Sequence, residues 1–163
     1  QFVHRGGTLV LMEPEAGVTS EETIPVVEGM DLRIIRRADA DRGGYDSYIF
    51  PDDPGHALWE GLAPAHLRMF NGGFGGEVVS QYDIHAPSAP RVHARCGLRL
   101  DVPVVMEWRV GDGRIVITRL QVRGRLHGEP VSGGLYARRK DPVAERYLLN
   151  LLQWSMLPGR VNP

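Results

Sequence analysis

The stretch PVVMEWRV-GDG-RIVITRL, residues 103–120, decides the fold of this chain. Two runs rich in β-branched residues flank a short Gly-Asp-Gly link, and Asp-Gly readily supplies the positive φ angles that a primed turn requires. The stretch therefore predicts an antiparallel β-hairpin over residues 103–120.

A helix is predicted to follow, over residues 141–154. Asp141 can accept hydrogen bonds from the amides of the first turn, and Pro142 suits the first helical position because the amide donor it lacks would stay unpaired there. Apolar residues at three- and four-residue spacing form one stripe: Ala144, Tyr147, Leu148, Leu151 and Leu152. The stripe predicts that the helix packs on a sheet, and this packing would supply most of the stability of so short a helix.

The remaining segments carry weaker signals. Residues 1–7 indicate the last turn of a helix with a glycine stop, and residues 8–12 indicate a buried strand. Charges and prolines in residues 13–31 favour a surface loop or a short helical excursion, and residues 155–163 are typical of a tail or linker. Further strands are expected at 32–37, 45–50, 66–71, 77–84 and 92–98.

Length and charge limit the class of protein. The 163 residues fit one domain with a substantial core, and the net charge of −1 gives no electrostatic case for nucleic acid or an anionic membrane surface. The single cysteine, Cys96, excludes an internal disulfide and a multi-cysteine zinc site. No apolar run is long enough for a membrane-spanning helix. Because the chain starts at Gln1 without a methionine, we expect a longer parent polypeptide, and the compartment stays open.

The order of these signals resembles a known family. The end of this chain looks like the end of one particular domain. The shared order is an apolar strand, a Gly-Asp-Gly-Arg turn, an apolar strand, a loop and an Asp-Pro-Val-Ala-Glu-Arg helix. That domain is the glutamine-amidotransferase-like (flavodoxin-like) accessory domain of bacterial glycoside hydrolases of the β-galactosidase or family 2 type. Two further segments are similar to it: FVHRGG before the strand at 8–12, and HALWEGL at 56–62, where Ala57 replaces the usual proline. The likeness extends over residues 2–154, but the family's upstream strand, helix and strand are missing.

The resemblance implies an α/β fold with a mixed, mainly parallel sheet and flanking helices over residues 1–154. It also implies a non-catalytic accessory domain of a glycoside hydrolase in carbohydrate metabolism. Its partners would be other domains of the parent polypeptide or further copies of the chain, with carbohydrate as a candidate ligand and neither nucleic acid nor membrane. Two alternatives stay open. One is a stand-alone amidotransferase-superfamily enzyme similar to trehalose-utilisation proteins. The other is a carbohydrate-binding module using Trp108 or Trp59, although core packing is the commoner use of such a ring.

Cys96 is the candidate nucleophile of the enzyme alternative. The triplet His127-Gly128-Glu129 has the His-x-Glu spacing that orients a base behind a cysteine. An activated cysteine in this fold needs a tight strand-to-helix elbow between small residues, whereas Arg95 precedes Cys96 and no helix pattern follows it. The sequence therefore predicts that Cys96 is a small buried residue.

Acidic and metal-ligating residues give no firm site. Carboxylates that cleave glycosides must lie about 5–9 Å apart, which sequence does not reveal. The acids available for such a pair are Glu13, Glu77, Asp83 and Glu107. The nearest metal-like cluster lacks helical ligand spacing and consists of Asp52, Asp53 and His56. A glycine-rich loop at 72–76 lacks the lysine of a phosphate-binding loop. We therefore predict no catalytic residue, metal or cofactor for this domain.

Overall fold

The computed structural model describes residues 1–17, 21–37, 48–68, 78–97, 99–126 and 141–157. Within these ranges the chain forms eight strands, one α-helix and two 3-10 turns, the latter at Val3–Arg5 and Ala57–Trp59. The strands are β1 (Thr8–Met12), β2 (Glu21–Val27), β3 (Met30–Arg36), β4 (Phe50–Pro51), β5 (Tyr82–His85), β6 (Arg91–Cys96), β7 (Val102–Val110) and β8 (Gly113–Thr118), and the helix is α1 (Pro142–Met156). No helix in these ranges has both the length and the apolar character needed to cross a membrane.

The strands form two sheets. The five-stranded sheet has the order β1-β8-β7-β6-β4, and its described neighbours are antiparallel except for the parallel pair β1 and β8. The three-stranded sheet has the order β2-β3-β5 and is antiparallel. Tight turns join β2 to β3 and β7 to β8. Such short connections allow only antiparallel neighbours, because a parallel pair needs a long crossover.

The expectation of a flavodoxin-like α/β fold is wrong. That fold needs a mainly parallel sheet with helices on its faces, whereas the described chain is mostly β, with one parallel strand pair and one α-helix. Strand β1 lies at the edge of the five-stranded sheet, where it forms the parallel pair with β8. The assignment to a glycoside hydrolase followed from the same resemblance and is left without support.

The prediction of a loop or helical excursion over residues 13–31 is wrong for residues 21–27, which form strand β2, whereas residues 13–17 have no regular secondary structure. Glu21 and Glu22 are exposed on this edge strand, and Glu21 forms an ion pair with Arg33 of β3. Opposite charges on neighbouring strands stabilise a sheet, so the acidic residues are compatible with a strand. The strand expected at 66–71 is wrong where it is described, since residues 66–68 form a turn.

The predicted hairpin is confirmed as β7 and β8, with Val110 paired to Gly113. The positive φ falls on Gly111, at 60°, which is the first of the two loop residues and the position where a type II′ turn requires glycine. The Asp112-Gly113 dipeptide therefore does not supply the positive φ angle that was predicted for it. Gly113 is needed for another reason, because an added Cβ would lie 2.1 Å from the carbonyl oxygen of Val3.

The five-stranded sheet is covered on both faces, as the alternation along β8 shows. Ile115 and Ile117 join an apolar core that contains residues of β3, in the three-stranded sheet. Val116 joins the core beneath α1, and on that face the hydroxyl of Thr118 lies 2.7 Å from the hydroxyl of Tyr147. The molecule therefore has three layers: the small sheet, the large sheet and the helix.

Helix α1 is confirmed, together with the signals that start it. One carboxylate oxygen of Asp141 accepts hydrogen bonds from the amides of Val143 at 3.0 Å and Ala144 at 3.2 Å, and Pro142 occupies the first helical position. An N-cap of this kind satisfies amides that have no partner within the helix. The helix runs to Met156, two residues beyond the predicted end.

The predicted apolar stripe of α1 is confirmed only in part. Ala144, Tyr147 and Leu151 are fully buried and Leu148 is half-buried, but Leu152 is 45% exposed. The buried face also includes residues outside the expected stripe, namely Val143, Asn150 and Trp154. The contact face is thus rotated around the helix, away from Leu152. Each large apolar residue on it contributes about 1.5–3 kcal/mol through burial.

Candidate functional site

A cluster of polar side chains lies between the five-stranded sheet and the C-terminal part of α1. His93 comes from β6 and Glu107 from its neighbour β7. The register of these strands shifts between Val92 and Ala94, which marks a β-bulge at His93. A bulge changes the direction in which a side chain points, and this one accompanies the approach of the His93 ring to Glu107.

The imidazole of His93 and the carboxylate of Glu107 form a buried pair. His93 Nε2 lies 2.9 Å from Glu107 Oε2, and each side chain is 4% exposed. The other carboxylate oxygen, Oε1, lies 3.5 Å from Arg109 Nε and 3.8 Å from Arg114 Nη1. Burial raises the pKa of Glu107, but the hydrogen bond and charge of His93 and the two guanidinium groups outweigh it and hold this pKa below 4.5. Glu107 is therefore ionised at neutral pH.

Aromatic and cationic groups enclose this pair. The rings of His56 and His93 lie 4.7 Å apart between centroids, and both meet Trp154 edge-on, at 5.2 and 5.1 Å. The guanidinium carbon of Arg114 lies 4.2 Å from the centroid of the Trp154 ring, within cation–π range. Arg114 also donates hydrogen bonds to the carbonyl oxygens of Trp154 at 2.5 Å and Leu157 at 3.2 Å. A cation here suits the negative end of the helix dipole, so the cluster anchors the end of α1 to the sheet.

His56 is the more exposed of the two histidines. It is half-buried and precedes the Ala57–Trp59 turn, where its Nδ1 atom accepts a hydrogen bond from the Leu58 amide at 3.2 Å. In the neutral ring the proton is therefore on Nε2. Burial and the charge of His93 lower the pKa of His56 below 6.5. The folded protein thus favours the neutral form of this ring.

The geometry of the cluster supports a structural role. A carboxylate that orients an imidazole also occurs in catalytic bases, but a base must reach the proton that it removes. Here the His93 ring is almost fully buried and its Nε2 atom is engaged by Glu107. Across the described ranges, no three or more His, Cys, Asp or Glu side chains are arranged to hold a metal ion. The contacts therefore indicate anchoring of α1.

Cys96 is fully buried, and this prediction is confirmed. It ends β6 and contributes to the apolar core beneath α1. The chain then turns at Gly97, with φ of 84°, and the next described residues, 99–101, are not helical. The sulfur is thus not at a strand-to-helix elbow, where a nucleophile would be exposed. The His127-Gly128-Glu129 triplet lies outside the described residues.

The candidate carboxylates have structural partners where they are described. Glu13 follows β1 with φ of 48°, and its Oε1 atom accepts hydrogen bonds from the amides of residues 122 and 123 at 2.6 and 2.8 Å. Asp83 Oδ1 lies 3.1 Å from Arg119 Nη2. Glu77 lies outside the described residues, as does the glycine-rich loop at 72–76. The fourth acid, Glu107, is the carboxylate that pairs with His93.

The metal-like cluster of the sequence is likewise engaged within the fold. The single Nε–H group of Arg95 is shared between the two carboxylate oxygens of Asp52, each 3.1 Å from Nε, and Asp53 Oδ1 accepts a hydrogen bond of 2.9 Å from the Gly55 amide. The third member, His56, caps the Ala57–Trp59 turn. These contacts stabilise the segment that follows β4.

Both tryptophans proposed for sugar stacking are buried. Trp59 is 2% exposed and stacks on Tyr147, with ring centroids 5.7 Å apart and planes 18° apart. Trp108 is 5% exposed and donates a hydrogen bond to the Ser88 carbonyl oxygen at 2.9 Å. A sugar needs an open ring face on which to stack, so neither residue offers a carbohydrate platform. The expectation that Trp59 is a core residue is confirmed.

The outer face of α1 carries apolar residues that the described chain leaves uncovered. Leu149 is 47% exposed, Leu152 is 45% exposed and Met156 is 74% exposed. Their spacing of three and four residues places them on one side of the helix. We call these three residues the α1 outer stripe. Single exposed apolar residues are common on protein surfaces, whereas large apolar patches mark protein or membrane interaction sites or ligand-binding grooves.

Sequence reasoning missed the role of His93, Arg114 and Trp154. One signal was present: His93 and Glu107 each interrupt a run of strand residues with an ionisable side chain. A polar residue that is buried in a sheet requires a hydrogen-bond partner. His93 and Glu107 are partners of each other. The identity of the partner depends on the pairing of β6 with β7 and on the bulge between them.

Comparison with models of protein families, with curated proteins and with solved structures found no match to this chain.

Proposed function

We propose that this chain is a non-catalytic accessory domain that makes a protein contact through the α1 outer stripe, with another domain of a longer polypeptide or with a second copy of the chain. The observation that carries the proposal is the exposure of Leu149, Leu152 and Met156 on a helix whose opposite face is fully packed. Apolar area that is removed from water contributes about 25 cal/mol per Å². Covering the stripe therefore favours association.

The anchoring of α1 supports the same role. A contact surface gains affinity when it is rigid before binding, because less conformational freedom is lost on association. The helix is capped at its start by Asp141 and held at its end by Arg114, which bonds to the carbonyl oxygens of Trp154 and Leu157. Asn150 Nδ2 adds two hydrogen bonds, to the carbonyl oxygens of Leu58 at 3.1 Å and Glu60 at 2.9 Å. The stripe is thus presented on a fixed helix.

Thiol labelling tests whether the stripe is covered in the native protein. The Leu152→Cys variant is labelled with a maleimide, and its rate is compared with that of Arg99→Cys, whose native side chain is 87% exposed. The native Cys96 is fully buried, so it adds little background. We expect the cysteine at position 152 to react at least about ten-fold more slowly than the control, and its rate to rise toward that of the control when a denaturant at low concentration separates the contact.

Equal labelling rates at positions 152 and 99, at every protein concentration, would contradict the proposal. A second variant, Met156→Cys, guards against a local effect at one site, since it lies one helical turn further along the same stripe. In dilute solution, where the contact is separated, the unfolding midpoints of Leu152→Cys and Met156→Cys should match that of the native chain, because both positions are exposed in the isolated chain.

A further inference from the structure

Within the described residues the two sheets have four edge strands, and one of these differs from the others. Natural edge strands avoid unwanted pairing by being very short, or by carrying charges, proline or a bulge. Strand β4 has only two residues, one of them Pro51. Strand β2 contains Pro25 and a bulge beside it, and β5 has four residues with Asp83 among them. The fourth edge strand, β1, reads TLVLM and has none of these devices.

The backbone of β1 shows which groups face outward. The Gly7 carbonyl oxygen accepts from the Arg114 amide at 3.1 Å, and the Glu13 amide donates to the Thr118 carbonyl oxygen at 2.8 Å. In a parallel pair, alternate residues direct both backbone groups to the neighbouring strand. Odd-numbered residues of this segment therefore face β8. The outward groups belong to Thr8, Val10 and Met12, and among the described residues no strand pairs with them.

We propose that β1 pairs with β1 of a second copy of this chain, antiparallel about a twofold axis at Val10, to give one continuous ten-stranded sheet. This proposal deepens the proposed function, on which it rests, by naming the partner. In this register Val10 lies opposite Val10 of the other copy, and Thr8 lies opposite Met12. Every outward amide then meets an outward carbonyl group.

The side chains of β1 are self-complementary in the same register. Leu9 and Leu11 pack on the side of the three-stranded sheet, whereas Val10 and Met12 pack on the side of α1. Residues opposite each other in a sheet share a face, so Leu9 of one copy meets Leu11 of the other. The strand has no charge, so no like charges come together. Both apolar layers thus continue across the seam.

Helix α1 extends this surface on one side. Arg146 lies against Gly61, and Asn150 bonds to the carbonyl oxygens of residues 58 and 60, so this flank of α1 faces the segment that follows β4. Leu148 and Leu152 are on the opposite flank by helical geometry. That flank is directed toward the β1 edge, where α1 contacts β1. Leu152 therefore joins the open strand edge to the α1 outer stripe.

Solution mass and amide hydrogen exchange of the full chain test the pairing. We expect sedimentation equilibrium to give twice the mass of one chain, and the amides of Thr8, Val10 and Met12 to exchange at least about 100-fold more slowly in the dimer than after dilution to the monomer. Val10→Pro removes the central outward amide but no bond to β8, and edge strands tolerate proline at such positions. We expect this variant to be monomeric, and the matched control Val10→Thr, which keeps the amide, to be dimeric.

Three results would overturn the pairing. The first is a monomer at all concentrations with fast exchange of these amides. The second is a monomer in which they exchange slowly, because a strand of the same chain would then cover the edge. The third is a dimer with fast-exchanging β1 amides. If Val10→Pro fails to fold, the exchange data on the native chain decide alone. A shielded cysteine at position 152 together with fast β1 exchange would contradict this pairing and leave the proposed contact through α1 intact.

Discussion

Replacing Leu151 with alanine should strongly destabilise the protein, whereas the same change at its neighbour Leu152 should not. Leu151 is fully buried and packs in the core that includes Val116 and Tyr147. Truncating a buried leucine removes its transfer free energy and leaves a cavity, at a cost of about 2–5 kcal/mol. Total stabilities of domains are about 5–15 kcal/mol, so this is a large share.

The two leucines form a matched pair on one helix. Leu152 is 45% exposed, so Leu152→Ala should change the free energy of unfolding by less than about 0.5 kcal/mol in dilute solution. In a chain of this size, about 2–4 °C of melting temperature corresponds to each kcal/mol. We therefore expect Leu151→Ala to melt roughly 10 °C lower and Leu152→Ala to melt within about 2 °C of the native chain.

Urea unfolding followed by circular dichroism measures both changes, and an unchanged denaturant slope would show that the two variants unfold as the native chain does. Equal destabilisation by the two substitutions would refute the rotation of the buried face of α1 away from Leu152. So would a Leu151→Ala variant with native stability.

Two further predictions concern the cap of α1 and the polar cluster. Asp141→Ala should lower the free energy of unfolding by at least about 1 kcal/mol, measured in urea, because two first-turn amides lose their acceptor and the ion pair with Arg125 is lost, and Asp141→Asn should restore the part that belongs to the cap. Because the pKa of His56 is lowered from 6.5, the unfolded chain binds more protons below that pH, so stability should fall as the pH drops below about 6.5. A second loss should follow below 4.5, as the pH drops through the lowered pKa of Glu107. His56→Asn, which keeps an acceptor for the Leu58 amide, should remove the first loss from the pH profile, and an unchanged profile would contradict this assignment.

The hairpin and the helix could be predicted because their signals are local. Gly111 to Gly113 separate two β-branched runs, and Asp141 and Pro142 mark a helix start within adjacent residues. The position of β1 could not be predicted in this way, because it depends on pairing with β8, more than 100 residues away. Strand β2 of the second sheet was missed because it is an exposed edge strand whose acidic residues are also typical of a surface loop.

The polar cluster was missed for a related reason. His93 and Glu107 come together through the register of β6 and β7, and the bulge beside Val92 is invisible in a sequence pattern. The rotation of α1 is similar: periodicity placed Leu151 and Leu152 on one stripe, but the packing of Asn150 and Trp154 decided which of the two is buried. Periodicity identifies an apolar side of a helix, and the neighbouring elements fix its orientation.

The claim that this domain acts through contact is tested most directly by the ratio of maleimide labelling rates at positions 152 and 99 in the native protein. A contact through the α1 outer stripe predicts a ratio of about 0.1 or less, rising toward 1 as the contact is separated. A ratio near 1 throughout would contradict it.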